Sequence, residues 1–84
     1  MAYRILIVED SSAEADVLRG HLSRYAAEKG LSFAVTVLPS AIEFVNGNHP
    51  ADLIFMDIDL PGINGMEAAQ LLREENATTP LIFV

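Results

Sequence analysis

Ile5-Leu6-Ile7-Val8-Glu9-Asp10 and Asp52-Leu53-Ile54-Phe55-Met56-Asp57 decide how this chain folds. In each, four apolar residues run without alternation and end on carboxylates. Such a run suits a strand buried on both faces, the usual state of strands in a parallel sheet covered by helices. Parallel neighbours end on the same sheet edge, so Glu9, Asp10 and Asp57 are expected to converge there. At about 5 Å and an effective dielectric near 20, each carboxylate pair repels by roughly 3 kcal/mol. A fold tolerates that only with a cation alongside or a proton taken up. The two stretches therefore describe a site as well as a core.

Working outward, strand and helix patterns alternate. Residues 3–8 read as the first strand. Ser11-Ser12-Ala13-Glu14 matches a capping box for a helix reaching about Lys29, with Leu18, Leu22 and Tyr25 as its apolar stripe and Gly30 as its stop. Residues 31–38 are a second strand, rich in Phe and Val. Pro39-Ser40 followed by Glu43 restarts a short helix that ends near Asn46-Gly47, and Asn48-His49-Pro50 is a turn. Residues 51–56 are the third strand and 57–64 a loop holding Pro61-Gly62. A third helix over about 65–75 is expected to turn Met66, Ala69 and Leu72 or their neighbours inward, and Leu81-Ile82-Phe83-Val84 opens a fourth strand. This order implies a single α/β domain with an open parallel sheet and right-handed crossovers.

Composition narrows the function. A net charge of -7 and only five scattered cations (Arg4, Arg19, Arg24, Lys29, Arg73) argue against binding a phosphate backbone. The absence of cysteine excludes disulfides and thiolate metal sites and fits a reducing compartment. No apolar run approaches the roughly 18–20 residues of a membrane span, and the N-terminus has no signal-peptide pattern, so a cytoplasmic location is expected.

In open α/β sheets, ligands sit beyond the carboxyl ends of the strands where strand order reverses. Hard oxygen donors without His or Cys favour Mg²⁺, which takes one or two carboxylates and keeps several waters. A carboxylate beside that ion can attack phosphorus and form an aspartyl phosphate. After Asp57, the Pro61-Gly62 turn and Gly65 form an arrangement able to aim the main-chain carbonyl of Asp59 back toward a metal.

Ile5-Leu6-Ile7-Val8-Glu9-Asp10-Ser11 and the stretch from Asp52 through Met56-Asp57-Ile58-Asp59-Leu60-Pro61-Gly62-Ile63-Asn64-Gly65-Met66-Glu67 closely resemble the receiver domain of bacterial two-component response regulators. Thr79-Pro80-Leu81-Ile82-Phe83-Val84 is similar to that family's entry into its fourth strand. The resemblance implies a flavodoxin-like, doubly wound parallel sheet, five strands flanked by five helices when complete. It implies Asp57 as the acceptor of a phosphoryl group from a sensor histidine kinase. It also implies an Mg²⁺ site made by Asp10 directly, Glu9 through water, Asp57, and the main-chain carbonyl of Asp59. Residues 1–84 are expected to be the N-terminal two-thirds of such a domain, cut after the fourth strand, as about β-α-β-α-β-α-β. The family's Ser or Thr after the fourth strand and Lys after the fifth fall beyond them, and phosphoryl transfer is expected to suffer without those donors. The output domain, through which alone the resemblance implies contact with DNA, is expected to be absent from this stretch, and the wording around Asp57 and Ala68-Ala69 leans toward LytTR-type regulators.

Competing readings exist for the same residues. Asp57-Ile58-Asp59 also resembles the nucleophile motif of haloacid-dehalogenase-type phosphatases, though it sits here on the third strand rather than the first. A third reading is an interaction module that forms a homodimer or strand-mediated oligomer through its open edge. Taken singly, Asp57 can be a turn former and Glu9 a solvated edge residue. His21 and His49 read as surface residues without function, and Met56 and Met66 as packing.

Overall fold

β1 (Ala2–Val8), β2 (Ser32–Leu38), β3 (Leu53–Met56) and β4 (Leu81–Phe83) form one sheet, with α1 (Ser12–Lys29) between β1 and β2. The computed structural model describes residues 2–40, 43–44, 50–57, 67, 70, 73 and 79–84. The strand order is β2-β1-β3-β4, and every neighbouring pair is parallel. This order matches the first four strands of the flavodoxin-like arrangement.

β1 is central, and both of its faces are covered. Leu6 and Val8 pack with Leu38, Phe44, Ile54 and Met56 on one side. Ile5 and Ile7 pack with Ala15 on the other, where Leu18, Leu22, Phe33, Val35 and Val37 close over them. All four residues of the run from Ile5 to Val8 are thus buried, as an unalternated run requires. Met56 is fully buried in this packing.

α1 begins and ends as its sequence signals. Ser11 is the N-cap, its side chain accepting from the Glu14 amide, and Gly30 is the C-cap in the left-handed region at φ 67°. A residue with a Cβ resists that conformation, which makes glycine the natural stop. The buried stripe differs from expectation. Ala15 and Ala26 are buried and Leu18 and Leu22 partly so, whereas Tyr25 is 50% exposed and stacks on Phe33. Small residues at both ends let the helix lie close to the sheet, and the large ring is displaced to its margin.

β3 starts at Leu53 rather than at 51. The Asp52 carboxylate accepts from the Arg4 amide at 2.7 Å and meets the Arg4 guanidinium at 3.4 Å, while the Asp52 amide donates to the Arg4 carbonyl at 2.7 Å. A side chain thus takes the backbone donor that another ladder step would use. The Arg4 amide, and then its guanidinium, hold the Asp52 carboxyl below its usual range.

Glu43 and Phe44 are helical, with the Glu43 amide donating to Ser40 Oγ at 3.1 Å. Glu67, Gln70 and Arg73 are helical and exposed, three residues apart along one face. The rest of both expected helices, including Met66, Ala69 and Leu72, lies outside the described residues, as do the Pro61-Gly62 turn and His49. Arg73 donates to the Thr79 carbonyl at 2.8 Å, just before β4.

Because Ile54 is 1% exposed between β1 and β4, Ile54→Ala is expected to destabilise the fold by about 3 kcal/mol through lost burial and the cavity left behind. Ile82→Ala, on the neighbouring strand but 44% exposed, is expected to cost under about 1 kcal/mol. Urea denaturation of both variants checks the contrast.

Candidate acidic site at the sheet edge

β1 has β2 on one side and β3 on the other, so the chain reverses its direction of travel across the sheet between β1 and β3. A crevice opens at the carboxyl ends of two such strands. Val8 pairs with Met56, which puts the next residues, Glu9 and Asp57, side by side at that edge.

The backbone holds them firmly. The Asp57 amide donates to the Val8 carbonyl at 3.0 Å, and the Glu9 amide donates to the Leu38 carbonyl at 3.1 Å. Each carboxylate therefore sits one ladder step beyond its strand, anchored by a bond to the central or edge neighbour. One carboxylate oxygen from each of Glu9, Asp10 and Asp57 lies within 4.8 Å of the others. The convergence expected from the two apolar runs is present. Asp59 lies outside the described residues.

The three differ in environment. Glu9 is buried at 6% exposure, Asp57 is half-buried and Asp10 is exposed. Burial pushes the Glu9 carboxyl up to about 7 against the pull of the Ser11 amide, and the charges of Asp57 and Glu14 and the adjoining Asp10 carboxyl add to the rise. Desolvation thus leads the rise at Glu9, and the repulsion inferred from the sequence adds to it.

Ser11 was legible in the sequence only as a helix cap. Its amide donates to Glu9 Oε1 at 3.1 Å, the bond that Glu14 would make in a complete capping box. A groove of about 310 Å³ opens beside the site, with Glu14, Val17, Leu18 and His21 of α1 on one wall and Val84 on another. His21 is exposed there.

The donor set fits a hard divalent cation. All three groups are carboxylates, and Mg²⁺ takes oxygen ligands at about 2.0–2.1 Å, so opposite ligands stand about 4 Å apart. Three ligands on one such ion include neighbours about 3 Å apart, so oxygens within 4.8 Å of one another draw closer by up to about 2 Å to share it directly, or leave one of them bound through water.

A model of the response regulator receiver domain matches residues 5–84. This chain belongs to the receiver domain family. The TorCAD operon transcriptional regulatory protein TorR of Escherichia coli O157:H7 is 34% identical over the whole chain, which spans 34% of that relative. Among solved structures, the non-phosphorylated HemR receiver domain from Leptospira biflexa superposes with a TM-score of 0.78 at 26% identity, covering 96% of this chain and 62% of that one. The receiver domain of sensor histidine kinase PA1611 from Pseudomonas aeruginosa PAO1, with a magnesium ion coordinated in its active site cleft, gives a TM-score of 0.81 at 25% identity, covering 99% and 66%. Receiver-domain membership sets aside the phosphatase reading of Asp57-Ile58-Asp59. Among the described residues, no helix is long and apolar enough to cross a membrane.

Proposed function

We propose that Asp57 is the phosphoacceptor of this receiver domain, with Glu9, Asp10, Asp57 and the main-chain carbonyl of Asp59 holding Mg²⁺. The observation that carries this reading is the meeting of three strand-end carboxylates at the point where strand order reverses. The magnesium in the cleft of the PA1611 receiver domain supports it. Bound there, the ion would supply positive charge against the phosphoryl oxygens.

Asp57 suits the acceptor role because it is half-buried, fixed through its amide, and still reachable from solvent. An oxygen of its carboxylate attacks phosphorus on a phosphorylated histidine of a sensor kinase. The new O–P bond forms as the P–N bond breaks, and the imidazole leaves with the electron pair and takes a proton from water. The product is an acyl phosphate on Asp57, formed in a phosphoacceptor rather than in an enzyme turning over a separate substrate.

The 84 residues are the N-terminal two-thirds of the receiver domain on this reading, in keeping with the 62% and 66% of the two receiver structures that they span. The whole protein works in the cytoplasm, under a histidine kinase, and controls an output of the transcriptional kind borne by TorR. Incubation of the full-length protein with acetyl phosphate and Mg²⁺, followed by borohydride trapping and peptide mapping, tests the acceptor. Label on the peptide holding Asp57 is expected; label confined to another peptide overturns the assignment.

Asp59 contributes through its backbone, so Asp59→Asn is expected to leave Mg²⁺ affinity within about threefold of the parent, since a lost charge-bearing ligand would cost tenfold or more, about 1.4 kcal/mol. Titration calorimetry of the variant checks it. A second reading, strand-mediated pairing of these 84 residues along β4, has the 44% and 55% exposure of Ile82 and Val84 in its favour. Sedimentation as a clean monomer at high concentration would remove it.

A further inference from the structure

Ser11 is tied in two directions at once. Its amide donates to Glu9 Oε1 at 3.1 Å, toward the acidic site. Its hydroxyl oxygen accepts from the Glu14 amide at 3.3 Å and its carbonyl accepts from the Ala15 amide at 3.0 Å, toward the first turn of α1. The two ends of this bridge are both buried anchors. Glu9 is 6% exposed at the end of β1, and Ala15 is 3% exposed against Ile5 and Ile7. Neither end can move far without disturbing the core.

A free helix start leaves its first amides without partners, and a capping box would return the Glu14 carboxylate to the Ser11 amide. Here the carboxylate that takes this amide belongs to Glu9, two residues before it, within the acidic cluster. The orientation of Glu9 and the closure of the first turn of α1 therefore share one residue.

We propose that Ser11 is a positioning residue, whose amide aims the Glu9 carboxylate at the shared centre of Glu9, Asp10 and Asp57 and whose hydroxyl and carbonyl carry the loading of that centre into the first turn of α1. The inference rests on the reading of the cluster as a divalent-cation site. It adds a mechanical connection between that site and one wall of the adjoining groove, where Glu14, Val17 and Leu18 of α1 stand. Loading the centre fixes Glu9, Glu9 fixes the Ser11 amide, and Ser11 fixes the amides of Glu14 and Ala15.

The test is amide hydrogen exchange followed by NMR on the full-length protein, with Mg²⁺ alone as the probe. Shifts of the Glu9, Asp10 and Asp57 resonances report binding independently of the coupling. On saturation, exchange at the Ser11, Glu14 and Ala15 amides is expected to slow by about fivefold, the scale of a helix-cap interaction. Ser11→Ala keeps the amide to Glu9 and removes the hydroxyl. At Mg²⁺ concentrations that saturate it, this variant should lose the Mg²⁺-dependent slowing at Glu14, since an alanine cap offers no side-chain acceptor. Ser11→Gly serves as a second variant if alanine unsettles the helix, with the same expected losses. Binding shifts with unchanged exchange at Glu14 and Ala15 in the parent overturn the coupling and leave the metal reading standing. Equal slowing at Glu14 in the parent and both variants overturns the role of the hydroxyl. Absence of any binding shift overturns the metal reading, and the positioning role with it.

Discussion

Asp57→Asn is expected to reduce phosphate incorporation from acetyl phosphate or a histidine kinase by at least about 10³-fold, because an amide cannot serve as the oxygen nucleophile. The change is nearly isosteric and leaves the backbone bond from residue 57 to the Val8 carbonyl untouched. Far-UV circular dichroism should therefore match the parent and the urea midpoint should hold or rise, since one of the mutually repelling carboxylates is gone, separating loss of chemistry from loss of fold. The neighbouring carboxylates are poor substitutes. Glu9 is 6% exposed with one oxygen engaged by the Ser11 amide, and Asp10 lies off the end of β1, beyond the paired step that places Asp57. A second readout comes from charge. Asp57 is one of the groups that push the Glu9 carboxyl up to about 7, so its neutral replacement should let that carboxyl titrate lower, visible in carbon-detected NMR of the Glu9 side chain. Phosphate incorporation in the variant equal to the parent would remove Asp57 from the acceptor role.

Much of this was readable from two short stretches. The runs at 5–8 and 53–56 lack alternation, and parallel pairing followed; burial on both faces is complete along 5–8, whereas in 53–56 Ile54 and Met56 are buried and Leu53 and Phe55 half-buried. The pairing carried Glu9 and Asp57 to one edge. Helix start and stop were equally local, because Ser11 and Gly30 act through their own backbone geometry. What could not be read depends on contacts between distant residues. The start of β3 at Leu53 is set by Asp52 taking the amide of Arg4, forty-eight residues earlier. Tyr25 stands outside the buried stripe because Phe33 offers it a stacking partner at the margin of the sheet. The diversion of the Ser11 amide from Glu14 to Glu9 is invisible to a motif in which Glu14 occupies the expected place.

The metal-free protein and its Mg²⁺ complex are expected to respond to pH in opposite directions, and Glu9 is the reason. Its carboxyl is raised in the folded protein from 4.5 to about 7, so the folded state holds that proton more tightly than the unfolded chain does. The resulting stabilisation is fully present below 4.5 and is lost as pH rises through 7. Thermal midpoints without metal should therefore fall between about pH 5.5 and 8. Asp52 works the other way, since its lowered carboxyl adds stability that is lost only as pH drops into the acidic range below 3.8. The chosen window keeps the two apart. Metal binding needs the ionised carboxylate, so Mg²⁺ affinity should fall as pH drops below 7, approaching about tenfold per unit for one displaced proton. Glu9→Gln removes the titrating group while keeping an acceptor for the Ser11 amide. It should flatten the metal-free stability profile over this window and remove most of the pH dependence of Mg²⁺ affinity, at a lower absolute affinity. Calorimetric titrations of parent and variant at three pH values decide it: equal slopes would mean that the carboxyl displaced by the ion is not that of Glu9.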